Sequence, residues 1–269
     1  MIRLLWMMAC LALAVSPTGA AVWQVRPSAF VTWGDYSDSR TSRECAAYLS
    51  AAHSGWLVST GYGDLKIDHE EWTYHQTQWT AGVLYARSSW SARAYYSQVR
   101  GDFDATAYVY HSMDDGSLWN GEATCSLGQC GFGYAFTRFH GKGYWDRTTA
   151  QHTARIEWTP HPSLFLSVRP NYVRINDGRR LESMVIRVHD QPVHFLVLKF
   201  GGMIGKRAYT FDNDLFTLYN QEETQRGLVF TQADLLLSRR ISAMVEYILT
   251  SFDGYEITYM VMGLRAVLG

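Results

Sequence analysis

The sequence predicts an all-β protein, a single antiparallel transmembrane β-barrel of about fourteen strands, with about twelve as the alternative count. Three observations carry this. The chain ends in two period-2 runs joined by Ser251-Phe252-Asp253-Gly254. In the first, Ile241, Ala243, Val245, Tyr247 and Leu249 oppose Ser242, Glu246 and Thr250; in the second, Met260, Met262, Leu264, Ala266 and Leu268 oppose Tyr259, Gly263 and Arg265. Aromatics are abundant, 17 Tyr, 12 Phe and 10 Trp, as two membrane–water boundaries require. No run of about 18 uncharged apolar residues follows Ala21, which argues against a helical membrane protein.

Residues 1–21 read as a signal peptide: Arg3 gives a positive start, Leu4 to Val15 an apolar run too short to span, and Gly19-Ala20-Ala21 a small-residue cleavage site. Residues 22–269 then form one barrel domain, since no Gly- or Pro-rich linker divides them. The formal net charge of −1 gives no electrostatic case for nucleic acid.

The strands follow in order. Val22 to Trp33 sets Trp23, Val25, Ala29, Val31 and Trp33 against Gln24, Arg26, Ser28 and Thr32. Glu44 to Ala52, Trp56 to Ile67, Thr73 to Ala86 and Trp90 to Gly101 come next, their connections alternately short and longer. The middle is weaker in pattern: a short strand Ala105 to Ser112, a polar connection MDDGSLWNGEATCSLGQC, then Gly131 to His140. Thr148 to Trp158, Leu164 to Ile175, Leu181 to His189 and His194 to Arg207 restore the alternation, with turns at Thr159-Pro160-His161-Pro162, Asn176-Asp177-Gly178 and Asp190-Gln191-Pro192. The polar loop AYTFDNDLFTLYNQEETQR precedes Gly227 to Leu237 and the terminal pair. An even count puts both termini on the periplasmic side.

Alternation alone also fits a soluble sheet. Export, mid-strand charges on the non-apolar parity (Arg155, Arg169, Arg187, Lys199, Asp234, Glu246, Arg265) and outward tryptophans at 23, 33, 56, 79 and 158 favour the membrane. Closure of the sheet would satisfy every backbone group, as lipid demands.

The segment GLRAVL resembles the C-terminal assembly signal of bacterial outer-membrane proteins, with Gly263, Ala266 and Leu268 in the signal positions. Aromatics are usual where Ala266 and Leu268 stand, and Gly269 extends one residue beyond. The strand layout, AYTFDNDLFTLYNQEETQRG and FDGYEI also resemble the YaiO-type outer-membrane barrel family. The resemblance implies an outer-membrane location, membrane lipid and the barrel-assembly machinery as partners, and no particular reaction.

Candidate chemistry is sparse. Cys125 and Cys130 of TCSLGQC are expected to form a disulfide after export, leaving Cys45 over. A lipid-modifying barrel enzyme would need His and Ser on one face with an orienting group; His111-Ser112 point to opposite faces, and His53-Ser54 and His161/Ser163 sit in turns. His69, Glu70, Glu71 and His75 lack tetrahedral metal spacing, so no metal and no cofactor is expected.

The lumen has functional content. Arg155, Arg169 and Arg187 occupy consecutive strands with one inward parity, and Lys199 the fourth. Either this basic ladder lines a pore for anions, or Glu157, Asp234, Glu246 and Glu44 pair with it and fill the interior. The expected role is a porin-like or transport-accessory one: a narrow pore for small anionic or saccharide solutes, or polysaccharide export. The alternatives are the barrel enzyme and a plugged barrel displaying its loops.

Overall fold

A computed structural model describes residues 23–105, 110–143, 146–212, 217–219 and 222–268. The signal-peptide expectation falls on residues outside these. The strands are β1 Gln24–Tyr36, β2 Thr41–His53, β3 Trp56–Asp68, β4 Trp72–Ala86, β5 Trp90–Ala105, β6 Tyr110–Leu127, β7 Cys130–Lys142, β8 Arg147–His161, β9 Leu164–Ile175, β10 Arg180–Val193, β11 Leu196–Arg207, β12 Thr210–Asp212, β13 Thr217–Tyr219, β14 Gln225–Leu236, β15 Ile241–Phe252 and β16 Glu256–Ala266. All but β12 and β13 form one closed antiparallel barrel, so fourteen strands make the wall. The short β12 and β13 pair only with each other.

Closure joins the two ends of the chain. β1 pairs with β16 from Ser28↔Arg265 to Tyr36↔Ile257. Below that ladder Val25 and Leu268 exchange both backbone hydrogen bonds, at 2.9 and 2.8 Å. Leu268, the last residue of the expected apolar parity, thus closes the seam. Gly263 is required there, because a Cβ would stand 2.3 Å from the Phe30 ring.

The outer face is apolar, as the alternation requires. Trp23, Trp56, Trp90 and Trp158 are exposed near the end that carries both termini, while Trp33, Trp79 and Trp119 are exposed nearer the other end. Trp79 lies in mid-strand because β4 continues past this second belt. Spanning takes only about 9–11 residues per strand, so the 16 and 18 residues of β5 and β6 project well beyond the lipid. Turns at the terminus-bearing end are short, and the longest connection, residues 208–224, is at the opposite end; these ends are the periplasmic and extracellular ones of such barrels.

Two expectations are corrected here. The polar stretch MDDGSLWNGEATCSLGQC is not a connection: it is most of β6, continued into β7 through a two-residue turn. Its alternation is weak because Leu118 is inward while Asp115, Ser117 and Gly121 share the outward parity of Trp119. The expected Cys125–Cys130 disulfide is absent, and Cys45, Cys125 and Cys130 are free thiols. Leu127 is opposite Cys130 and Phe132 is opposite Cys125, so the two cysteines are diagonal neighbours. Such a diagonal spans about 7–8 Å, beyond the roughly 7 Å that a disulfide bridges.

Candidate functional site: a divided lumen

The register generates the site. Antiparallel pairing sets inward side chains of neighbouring strands side by side in transverse rows. On one half of the wall a row runs Tyr95, Asn120, Thr137, Gln151, Val173, Leu181. On the other half a row runs Lys199, Gln232, Glu246, Val261, Thr32, Glu44 and on to Leu65 and Gln76. The two halves have opposite fates.

The first half is filled. After β11 the chain turns inward, and Ala208, Tyr209, Thr210, Phe211 and Asp212 are all buried. Gln151 binds this segment twice: its Nε2 donates to the Phe211 carbonyl at 3.2 Å, and the Phe211 N–H donates to its Oε1 at 2.9 Å. The Thr149 hydroxyl donates to the Tyr209 carbonyl at 3.3 Å. Phe211 packs edge-on against Tyr95, and Tyr209 stacks on Phe139, at 6.2 and 6.0 Å between centroids. Burying a side chain such as Phe211 contributes roughly 1.5–3 kcal/mol. A gap of about 20 Å³ remains beside the segment, room for a water molecule and no solute.

The expected basic ladder lies mainly on this half and is spent in ion pairs. Arg155 Nε meets Glu122 at 3.0 Å and its Nη1 meets Glu157 at 3.4 Å. Arg93 Nε donates to Glu122 at 2.7 Å, and Arg169 lies 3.7 Å from Glu157. Arg187 is held by Asp212 of the inward segment. Lys199, toward the other half, pairs with Asp234 at 2.7 Å, and Arg265 reaches the same carboxylate at 3.7 Å. All four ladder residues do face inward, but they form the salt-bridged alternative, not a free cationic lining. Glu157 and Asp234 act as the expected acidic partners. Glu246 and Glu44 do not: neither has an ion pair within 4.0 Å among the described residues. Glu122 and Asp212, the central carboxylates of the network, were missed by the sequence reading.

The second half is open, a cavity of about 600 Å³ against β1 to β4 and β14 to β16. Small residues hollow its middle: Gly263, Ala46 and Gly63 fall on one row with Phe30 and Gln78. At Gly63 a Cβ would approach Glu44 Oε1 to 3.1 Å, so the glycine leaves room for that carboxylate. Above, Tyr36, Ile67, Phe252, Tyr255 and Ile257 form an apolar cluster toward the extracellular end. There Arg40 lies over the Tyr36 and Tyr255 rings at 4.6 and 4.2 Å, while its Nε donates to Asp38 at 2.9 Å.

Of the remaining sequence candidates, His53, His161, His69 and His75 make their contacts outside the lumen cavity, and the side chains of His111 and Ser112 lie outside the described ones. His53 stacks on Trp23 in the periplasmic belt, at 4.9 Å. His161 Nδ1 is 2.9 Å from Ser163 Oγ and accepts from the Ser163 N–H at 3.3 Å, closing a turn. His69 stacks on Trp72, and His75 pairs with Asp64 at 3.1 Å. No group of three metal-ligating side chains occurs among the described residues.

The fold is similar to that of solved outer-membrane β-barrels. The CymD monoaromatic hydrocarbon channel superposes with a TM-score of 0.62 at 8% identity, covering 97% of this chain and 91% of that one. The Pseudomonas putida toluene transporter TodX gives 0.60 at 9%, covering 96% and 91%. The translocator domain of the autotransporter NalP from Neisseria meningitidis gives 0.50 at 8%, covering 98% and 94%. No family model matches the chain, and comparison with curated proteins found no match.

Proposed function

We propose that this chain is a narrow outer-membrane solute channel of the YaiO-type barrel family, exported by its leader and inserted by the assembly machinery, with its solute path in the open half of the lumen. The observation that carries this is the cavity of about 600 Å³ beside a half-lumen occupied by the buried segment from Ala208 to Asp212. Its volume is in the range of small-molecule sites, about 300–1,000 Å³. Fold likeness to proteins described as hydrocarbon channels supports a transport role.

Within the expected solutes, saccharides suit this wall better than simple anions. Gln76, Gln78 and Gln232 offer amides, and Tyr48 and Tyr74 offer rings on which a sugar face can lie. The arginines that would draw anions are neutralised across the lumen. Export of a polymer would need a wider bore than half a barrel leaves. Liposome swelling with the purified protein tests the reading: entry of monosaccharides and exclusion of trisaccharides is expected. No swelling with any solute would favour the plugged scaffold.

A further inference from the structure

Glu246 presents a discrepancy. It is 5% exposed, it borders the cavity, and its Oε1 is buried with no hydrogen-bond partner. A buried carboxylate oxygen without a partner is costly, and folded proteins keep few of them. Lys199 and Arg187 attract it from a distance, but neither comes within ion-pair range: Lys199 and Arg265 share Asp234, Arg187 is held by Asp212, and Arg26, which also borders the cavity, hydrogen-bonds to Gln24. Glu44 stands three strands along the same row, about 14 Å of wall away at the usual strand spacing. It borders the same cavity and also lacks an ion pair among the described residues.

The walls between them are of the kind that accepts organic cations. Phe30, Tyr36, Tyr48, Tyr74 and Tyr259 border the cavity. Two guanidinium groups already use such faces: Arg40 over Tyr36 and Tyr255, and Arg265 over Phe30 at 5.5 Å. Ring faces and carboxylates together attract a desolvated cation, and neither holds an anion.

We infer that the cavity binds a small organic cation, an ammonium or guanidinium group on a ring body whose face can lie against an aromatic side chain, with Glu246 as its principal counter-charge and Glu44 as a second. This deepens the channel reading by naming the charge of the solute, so an amino sugar fits it and an acidic sugar does not. A cation entering the cavity meets both carboxylates on the one row, about 14 Å apart. Arg26, Lys199 and Arg265 on the same lining repel it, which makes the cavity a place of residence and not an unobstructed pore.

The test uses three monocyclic probes of one size, benzylamine, benzyl alcohol and benzoate, on the full barrel in planar bilayers and by calorimetry in detergent. Benzylamine is expected to interrupt the current and to bind with measurable heat, benzoate to do neither, and the reversal potential in a salt gradient to favour cations. In Glu246→Gln the benzylamine affinity is expected to fall about tenfold, as loss of one charge-assisted hydrogen bond gives. Glu44→Gln is expected to reduce it less. Equal binding of benzoate, or benzylamine binding unchanged in Glu246→Gln, overturns the inference. Absence of current with benzylamine binding intact would defeat the channel reading alone, and absence of both current and binding defeats the two together.

Discussion

Glu246 and Glu44 share one transverse row of the barrel wall, linked through Val261 and Thr32 by the pairing of β15, β16, β1 and β2, and neither carboxylate is ion-paired. Across the lumen every ladder arginine is. The interior is thus divided into a structural half and a hollow half. Replacing Glu246 with Gln removes a buried charge that has no ion pair within 4.0 Å and only the longer-range attraction of Lys199 and Arg187, so stability is expected to change by no more than on the order of 1 kcal/mol. Urea unfolding of the detergent-solubilised variant checks this. A loss of about 3 kcal/mol or more would show that Glu246 belongs to an ion pair.

The opposite result is expected on the filled half. Arg187 is 3% exposed and grips Asp212, so Arg187→Gln strands a buried carboxylate and is expected to cost about 3–5 kcal/mol. The unboiled barrel should then lose its fast electrophoretic mobility at a lower temperature than the parent.

Gln151→Ala deletes both hydrogen bonds that fix Phe211. Each is worth about 0.5–1.5 kcal/mol, so the inward segment loosens while the wall stays closed. Larger current fluctuations with retained heat resistance are expected; a lower mean current would contradict the segment's place as a filler of the lumen.

The cysteines give a chemical check. Cys125 is exposed on the outer face near the periplasmic end and Cys130 is its diagonal neighbour. Both are expected to react with a thiol reagent in the folded protein without prior reduction. Labelling of neither would restore the disulfide.

At the extracellular turn, hydrogen bonding from Arg40 holds the Asp38 carboxyl below its ordinary range. A lowered folded-state pKa gives stability that is present above the unfolded value, about 4, and lost as pH falls through the folded one. The stability difference between the parent and Asp38→Asn is therefore expected at neutral pH and should vanish in strong acid. A difference that grows on acidification would reverse the sign.

The wall was legible because lipid enforces a period of two on the outer face; Val245, Tyr247, Met260 and Met262 show it, and the count of fourteen follows. β6 was lost because Asp115, Ser117 and Gly121 stand at outward positions and Leu118 at an inward one, which blurs the period of two. A signal did exist there, since Glu122 shares parity with Asn120 and Thr124 against Trp119 and Ala123. Asp212 had none: its loop is polar, and its inward fold depends on Gln151, Tyr95 and Phe139, which are distant in sequence. The inward parity of the ladder was readable, but which carboxylates met it depended on register and on that loop.

The position of the solute path is decided by single-channel conductance of the purified protein compared with Ala46→Trp and Arg169→Gln. Ala46 lies on the hollow row of the open half, where an indole would fill the cavity; Arg169 lies on the filled half. The expected result is a conductance that Ala46→Trp abolishes and whose ion selectivity Arg169→Gln leaves unchanged. Current that persists in Ala46→Trp, with selectivity shifted toward cations by Arg169→Gln, would place the path along the basic ladder and contradict the divided lumen.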